Sequence, residues 1–272
     1  MPLSQIHPIS AGMVNLGNTC YITASMCVFS SCKSIIVALE SSKSPLAQTI
    51  CATLASMQAG ITASPAPVLP HLIPPHNPNE QHCVMELIEE ISKVITEVAP
   101  IFSICRMTVI RCMGREPCEA RQEIDEQIGW HRLPASNLSL QDICTTNLTR
   151  IETARMPDSC VTCGSMHRLI EAHVLQLPPV LLISINRYDQ SGKCFTKVHC
   201  PRLLLFENPL RKYGLRCIVR HIATNTGGGH YVSDIVTDQG FLHVDNETLL
   251  ILPMGKDMGR GRFKQRSQCT KH

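Results

Sequence analysis

The pattern of apolar residues changes character at Pro100, and that switch limits the fold more than any other feature of the chain. Before it, apolar positions recur at helical spacing. Ile22, Met26, Phe29, Ile35 and Ile36 predict a helix from Tyr21 to near Val37, and residues 45–60 read as a second one. "QHCVMELIEEISKVITEV" places Val84, Leu87, Ile88, Ile91, Val94 and Ile95 on one stripe, which predicts an amphipathic helix within 81–98. The intervening "ASPAPVLPHLIPPHNPNE" is too rich in proline for either regular element and reads as an extended loop. After Pro100 short alternating runs take over. "SICRMTVIR", "HRLIEAHVLQL", "PVLLISINRY", "LRCIVRHIAT", "HYVSDIV" and "GFLHVD" read as strands. A helical part followed by a sheet-rich part predicts an α+β protein with a cleft between its two layers.

The 272 residues suffice for one large domain or two modest ones, and 44% hydrophobic against 17% charged supplies a core. A net charge of +3, scattered except at the C-terminus, is too weak a field to predict a nucleic-acid partner. The start "MPLSQIHPISAG" lacks the basic and apolar regions of a secretory signal. Runs such as "VLLISI" fall far short of the roughly 20 residues a membrane span needs. The expectation is a soluble chain of the cytoplasm or nucleus, without a membrane partner. The sequons at 137, 147 and 246 are then coincidental. Residues 256–272, "KDMGRGRFKQRSQCTKH", read as a basic, solvated tail.

In such a compartment the 15 cysteines should be thiols, metal ligands or a nucleophile. Cys27, Cys32, Cys51, Cys83, Cys194 and Cys200 stand among apolar neighbours and read as small buried hydrophobes. Cys20 differs, because "NLGNTCYITAS" puts it after a Gly-containing turn and in the first turn of a helix, with Thr19 at the N-cap position. Free backbone N–H groups and the helix dipole favour the thiolate there. Asn15, across the turn, could offer its amide to an oxyanion beside the Cys20 N–H. A packed, unreactive cysteine after a capped turn is the competing reading.

The twelve histidines must supply a base. Residues 227–248, "GGGHYVSDIVTDQGFLHVDNET", read as a hairpin turning at "TDQG". Pairing Val236 with Phe241 sets Asp234 opposite His243 and Val232 opposite Asp245, so His230 and Asp245 become diagonal neighbours on one face. The same geometry offers His243 with Asp234 as a rival pair, and the hairpin alone does not choose between them. The glycines before His230 leave room for another backbone, such as a substrate tail.

Together these residues resemble the ubiquitin-specific protease family of deubiquitinating cysteine proteases. "GMVNLGNTCYITAS" is similar to its Cys box and "GGGHYVSDIVTDQGFLHVDN" to its His box. "EQHCVMELIEEI" is similar to its Q-Q-D-A-H-E-F-L helix, and "LQLPPVLLISINRYD" to L-P-P-V-L-x-x-x-L-K-R-F. The resemblance covers about residues 11–255, within one catalytic domain expected at 1–255 with fingers roughly at 104–172. It implies a papain-like fold of thumb, palm and zinc-bearing fingers. The implied reaction is hydrolysis of the bond after ubiquitin's C-terminal glycine, with ubiquitin and ubiquitinated proteins as partners and no cofactor in the cycle. By motif position Cys20 is the nucleophile, His230 the base, Asp245 the orienting residue and Asn15 the oxyanion donor, leaving His243 a bystander. Gln81, Glu86, Gly228, Gly229 and Tyr231 fall at positions that bind the substrate, with Glu86 first in the path of ubiquitin's basic tail. Departures are Phe241 for the family's Trp, Asn246 for its second Asp, His82 and Cys83 for a Gln and the Asp, and Asn186-Arg187-Tyr188 for K-R-F. They touch packing and substrate contact more than the triad. Two other readings are a catalytically inactive ubiquitin-binding module and a protease of the same fold acting on a ubiquitin-like protein.

Cys160-Val-Thr-Cys163 followed by Gly164 has the spacing of half a structural zinc site. The resemblance implies a second pair upstream, where Cys112 takes the first position and Arg115 stands at the next. Either the ligand has moved to Cys118 or the site is incomplete; Cys105 is a further upstream thiol. Such a zinc would stabilise the fingers without entering hydrolysis.

Overall fold

A computed structural model describes residues 9–114, 118–129, 131–134, 138–189, 192–194, 196–222 and 228–253. Features named above that lie outside these residues include Arg115, the sequon asparagine at 137, Gly227 of the triple glycine, and the 256–272 tail. The helical layer consists of α1 (Cys20–Ser30), α2 (Lys33–Ser41), α3 (Pro45–Gln58), α4 (Val84–Val94) and the single turn α5 (Ala99–Phe102). The one helix expected from Tyr21 to Val37 is instead two, α1 and α2, which meet at 101°. At the break the hydroxyls of Ser30 and Ser31 donate to the carbonyls of Cys27 and Val28, the local side-chain bonding by which serine competes with helix continuation. Every residue of α1 is buried, as a helix apolar all round requires. α4 is shorter than the 81–98 window, with Val84, Leu87, Ile88 and Ile91 facing inward. Each of these side chains contributes about 1.5–3 kcal/mol by leaving water. No single described helix is long and apolar enough to cross a membrane.

The second part contains β1 (Ile104–Cys112), β2 (Arg121–Ile128), β3 (His131–Pro134), α6 (Leu140–Leu148), β4 (Ile151–Arg155), β5 (His167–Gln176), β6 (Ile183–Asn186), β7 (Tyr188–Asp189) and β8 (Gly192–Lys193). It continues through β9 (Leu203–Glu207), β10 (Leu210–Gly214), β11 (Cys217–Ile222), β12 (His230–Thr237), β13 (Gly240–Asp245) and β14 (Thr248–Pro253). One four-stranded sheet has the order β2-β1-β5-β4 and another the order β11-β12-β13-β14, both antiparallel. The second sheet lies against the helices: Ile235, Leu242 and Val244 share a core with Tyr21, Ile22, Phe29, Leu54 and Leu87. A separate core of Ile104, Leu133, Ile143, Leu148, Leu177 and Phe206 joins α6 to the base of the first sheet. The arrangement is α+β, as the switch at Pro100 predicts.

Candidate active site

Cys20 opens α1, buried beneath the loop 15–19. Gly17 sits at φ +129°, a backbone region closed to side-chain-bearing residues, and this makes the turn tight. Asn15 holds the turn from inside. Its Oδ1 accepts from the N–H of Gly17 at 3.2 Å and from the N–H and hydroxyl of Thr19 at 3.1 Å each. Because backbone donors need an oxygen, the amide nitrogen of this exposed residue is the end turned outward. Thr19 occupies the N-cap position but makes no cap bond to the helix, its hydroxyl accepting instead from the Leu16 N–H at 3.0 Å. The first N–H groups of α1 are thus not taken by the Thr19 side chain.

His230 begins β12 and Asp245 ends β13. The hairpin has the predicted register: Val236 pairs with Phe241 and Asp234 with His243, the recorded ladder ending at Ser233 with Val244. His230 Nε2 lies 2.6 Å from Asp245 Oδ1, so Nδ1 is the nitrogen that meets the Cys20 thiol as a hydrogen-bond partner. The Tyr231 N–H also donates to Cys20 Sγ at 3.5 Å. Burial alone would disfavour the thiolate, but the His230 bond, the Tyr231 N–H and the imidazolium charge hold the Cys20 pKa below the usual thiol value. The Cys20 bond, opposed by burial and aided by the Asp245 bond and charge, pushes His230 up to about 9. The two shifts describe one coupled pair in which each partner favours the charged form of the other.

Asp245 is in turn placed by the turn after β13. Asn246 adopts φ +50°, a left-handed conformation that asparagine tolerates well, and its side-chain amide lies 3.5 Å from Asp245 Oδ1. The Asn246 carbonyl accepts from the Met13 N–H at 3.1 Å. Gly12 permits that approach, since a Cβ there would overlap the same carbonyl oxygen. The rival pair also exists. His243 Nδ1 lies 2.7 Å from Asp234 Oδ1, with Arg220 at 2.8 Å from Asp234 Oδ2. No bond from it reaches Cys20 among the described residues.

Of the residues expected to bind substrate, Glu86 is exposed in the first turn of α4. Glu86, Cys83 and Tyr231 line a groove of about 1500 Å³ between the helical layer and the strands. Gly228 and Gly229 immediately precede the base. Gln81 is committed elsewhere: both ends of its amide bond to the backbone of Gly229, at 2.8 and 2.6 Å. Sequence reasoning missed Asn18, whose N–H and side-chain amide donate to the carbonyls of Pro78 and Asn79. It also missed His76, buried against Tyr21. An aromatic residue and a histidine 55 positions apart leave no periodic signal.

Cys112, Cys118, Cys160 and Cys163 converge at the far end of the β2-β1-β5-β4 sheet, their sulfurs all within 4.8 Å of one another. Cys112 closes β1, Cys118 precedes β2, and the other two sit on the turn before β5. On that turn Gly164 takes φ +71°, and the N–H groups of Thr162 and Cys163 hold Cys160 down to about 6. Four sulfurs at this spacing suit tetrahedral zinc. Cys118 therefore takes the place of the ligand expected at 115, and Cys105, within β1, stays outside the group.

A thiol, an imidazole and a carboxylate in series, beside a groove, define a cysteine-hydrolase type of site. Across residues 11–258 the chain matches the ubiquitin carboxyl-terminal hydrolase family, and it belongs to that family. Ubiquitin carboxyl-terminal hydrolase 4 of Arabidopsis thaliana is 26% identical over 173 residues, 58% of this chain and 47% of the relative. The chain thus spans about half the length of that curated relative. Among solved structures, a chain of the SAGA DUB module Ubp8/Sgf11/Sus1/Sgf73 bound to monoubiquitin shares the fold. Its TM-score is 0.73 at 14% identity, covering 89% of this chain and 65% of that one. The papain-like architecture expected from the motifs is the one found.

Proposed function

We propose that the protein is a thiol-dependent deubiquitinase that hydrolyses the isopeptide or peptide bond after the C-terminal glycine of ubiquitin. The observation that carries this reading is the convergence of Cys20, His230 and Asp245 in a member of the ubiquitin carboxyl-terminal hydrolase family. In the proposed cycle the Cys20 thiolate attacks the glycine carbonyl carbon. The oxyanion that forms is met by the outward amide of Asn15 and the Cys20 N–H. His230, protonated and oriented by Asp245, gives its proton to the departing lysine amine, leaving a thioester on Cys20. The neutral imidazole then takes a proton from water, which attacks the thioester and frees the ubiquitin carboxylate. Glu86 on the groove wall supplies negative charge for ubiquitin's basic tail. The described cysteines form no disulfide, which suits a cytoplasmic or nuclear location.

Ubiquitin carrying a C-terminal electrophile tests the reading. A covalent adduct at Cys20 that is lost in Cys20→Ala is the expected result. Tight binding without an adduct would instead make this an inactive ubiquitin-binding module. Failure to bind or react would point to a ubiquitin-like substrate.

A further inference from the structure

The segment 76–82 touches both loops of the proposed reacting pair at once. On one side the carbonyls of Pro78 and Asn79 accept from the N–H of Asn18 at 2.8 Å and from its side-chain amide at 2.6 Å, two residues before Cys20. On the other side Gln81 Oε1 accepts from the Gly229 N–H at 2.8 Å and Gln81 Nε2 donates to the Gly229 carbonyl at 2.6 Å, one residue before His230. The foot of the segment is fixed. His76 Nδ1 lies 3.0 Å from the Tyr21 hydroxyl, and its ring stacks on His82 at 3.8 Å and 11°.

Gly228 and Gly229 have no side chains to fix the orientation of the backbone that delivers His230. Something outside the loop must do so, and the described residues offer the Gln81 amide. A substrate could use that amide only by breaking two short bonds. We propose that Gln81 is a positioning residue: it holds the Gly229 peptide, and so the line on which the His230 imidazole meets the Cys20 thiol, while Pro78 and Asn79 hold the thiol's own loop to the same segment. The inference rests on Cys20 and His230 being the reacting pair, but not on ubiquitin being the substrate.

Gln81→Met in the full chain keeps the length of the side chain and removes both bonds. Two readouts separate the roles. One is the pH dependence of Cys20 alkylation by iodoacetamide, which needs no ubiquitin. The other is kcat and KM on a fluorogenic ubiquitin C-terminal amide. The alkylation midpoint should rise toward that of a free thiol, about 8.5. The turnover number should fall roughly ten- to a hundredfold, as small misplacements of reacting groups do. KM should stay within about twofold, the mark of an effect on the reacting groups and not on binding. An unchanged alkylation profile overturns the proposal, and if KM rises as well, Gln81 is a substrate contact. Should Gln81→Met fail to fold, Gln81→Asn, one methylene too short to span Gly229, is read in the same way. If even the wild type leaves the ubiquitin substrate intact, the proposed function fails while the alkylation profile still decides the role of Gln81.

Discussion

Cys20 and His230 hold each other in their charged forms, and that mutual effect is measurable. Since the imidazolium is kept up to about 9, kcat/KM should fall on the alkaline side near that pH. The acid limb belongs to protonation of the thiolate, below the usual thiol range. Asp245→Asn removes one of the causes that raise His230. The alkaline limb should then move to lower pH, with kcat falling roughly a hundredfold or more, as when other triads lose their orienting carboxylate. An alkaline limb that stays near 9 in this variant would remove Asp245 from the orienting role. The identities of these residues were legible because each stands at a local signal: a glycine turn before a helix, glycines before a strand, a hairpin register countable from its turn. The function of Gln81 was not. Its motif position suggested a substrate contact, and only the fold shows its amide already spent on a backbone 148 residues away.

Elements were legible where periodicity or turn chemistry was strong, as in α3, β1, β5 and the β12–β13 hairpin. β2 escaped notice because "RQEIDEQI" is almost wholly exposed and so carries no apolar alternation. α6 could have been found from Ser139-Leu-Gln-Asp142, a capping signature in which Ser139 accepts from the Asp142 N–H and donates to its carboxylate. The segment between the 3-10 turn Leu69–His71 and α4 makes its own prediction. Burial lowers the pKa of both His76 and His82, and for His82 the neighbouring His76 adds to it, against the raising influence of Glu80, Glu86 and Glu90. Glu90 Oε2 lies 3.0 Å from His76 Nε2 but off the hydrogen-bond line. Folded pKa values below the unfolded ones mean stability is complete above about 6.5 and is lost as pH falls below it. The melting temperature should therefore drop between pH 7 and 5.5. It should drop less in His82→Gln, which carries the residue of the family motif and leaves one imidazole to protonate instead of a stacked pair. An equal drop in both proteins would remove the stack as the cause.

At the scale of the molecule, one core joins the helices to the β11–β14 sheet and a second supports the β2-β1-β5-β4 sheet at its base. Among the described residues, the far end of the β2-β1-β5-β4 sheet has no such core. Its outer strand β2 is exposed, and the four cysteines occupy the position where packing would otherwise hold the strand ends together. Zinc bound there would do so instead. Native mass spectrometry should find one zinc per chain, and Cys160→Ser should lose it. The variant should melt at a lower temperature, while alkylation of Cys20 by iodoacetamide keeps its rate, because the thiolate depends on groups of the other core. A zinc-loaded wild type that melts no differently once a strong chelator has stripped the metal would sink the structural role.

The chain by itself determined what local chemistry can encode. That comprises the change from helical to strand periodicity at Pro100, the glycine turn before Cys20, the hairpin carrying His230 and Asp245, and the Cys160–Cys163 half-site. Only the tertiary structure decided which distant groups meet. It set the His230 imidazole against the Cys20 thiol, gave Cys118 the fourth sulfur position, and bound Gln81 and Asn79 to opposite sides of the cleft. The physical reason is that periodicity and turn preference act over a few residues. A hydrogen bond between residues 61 or 148 positions apart depends on how whole layers pack.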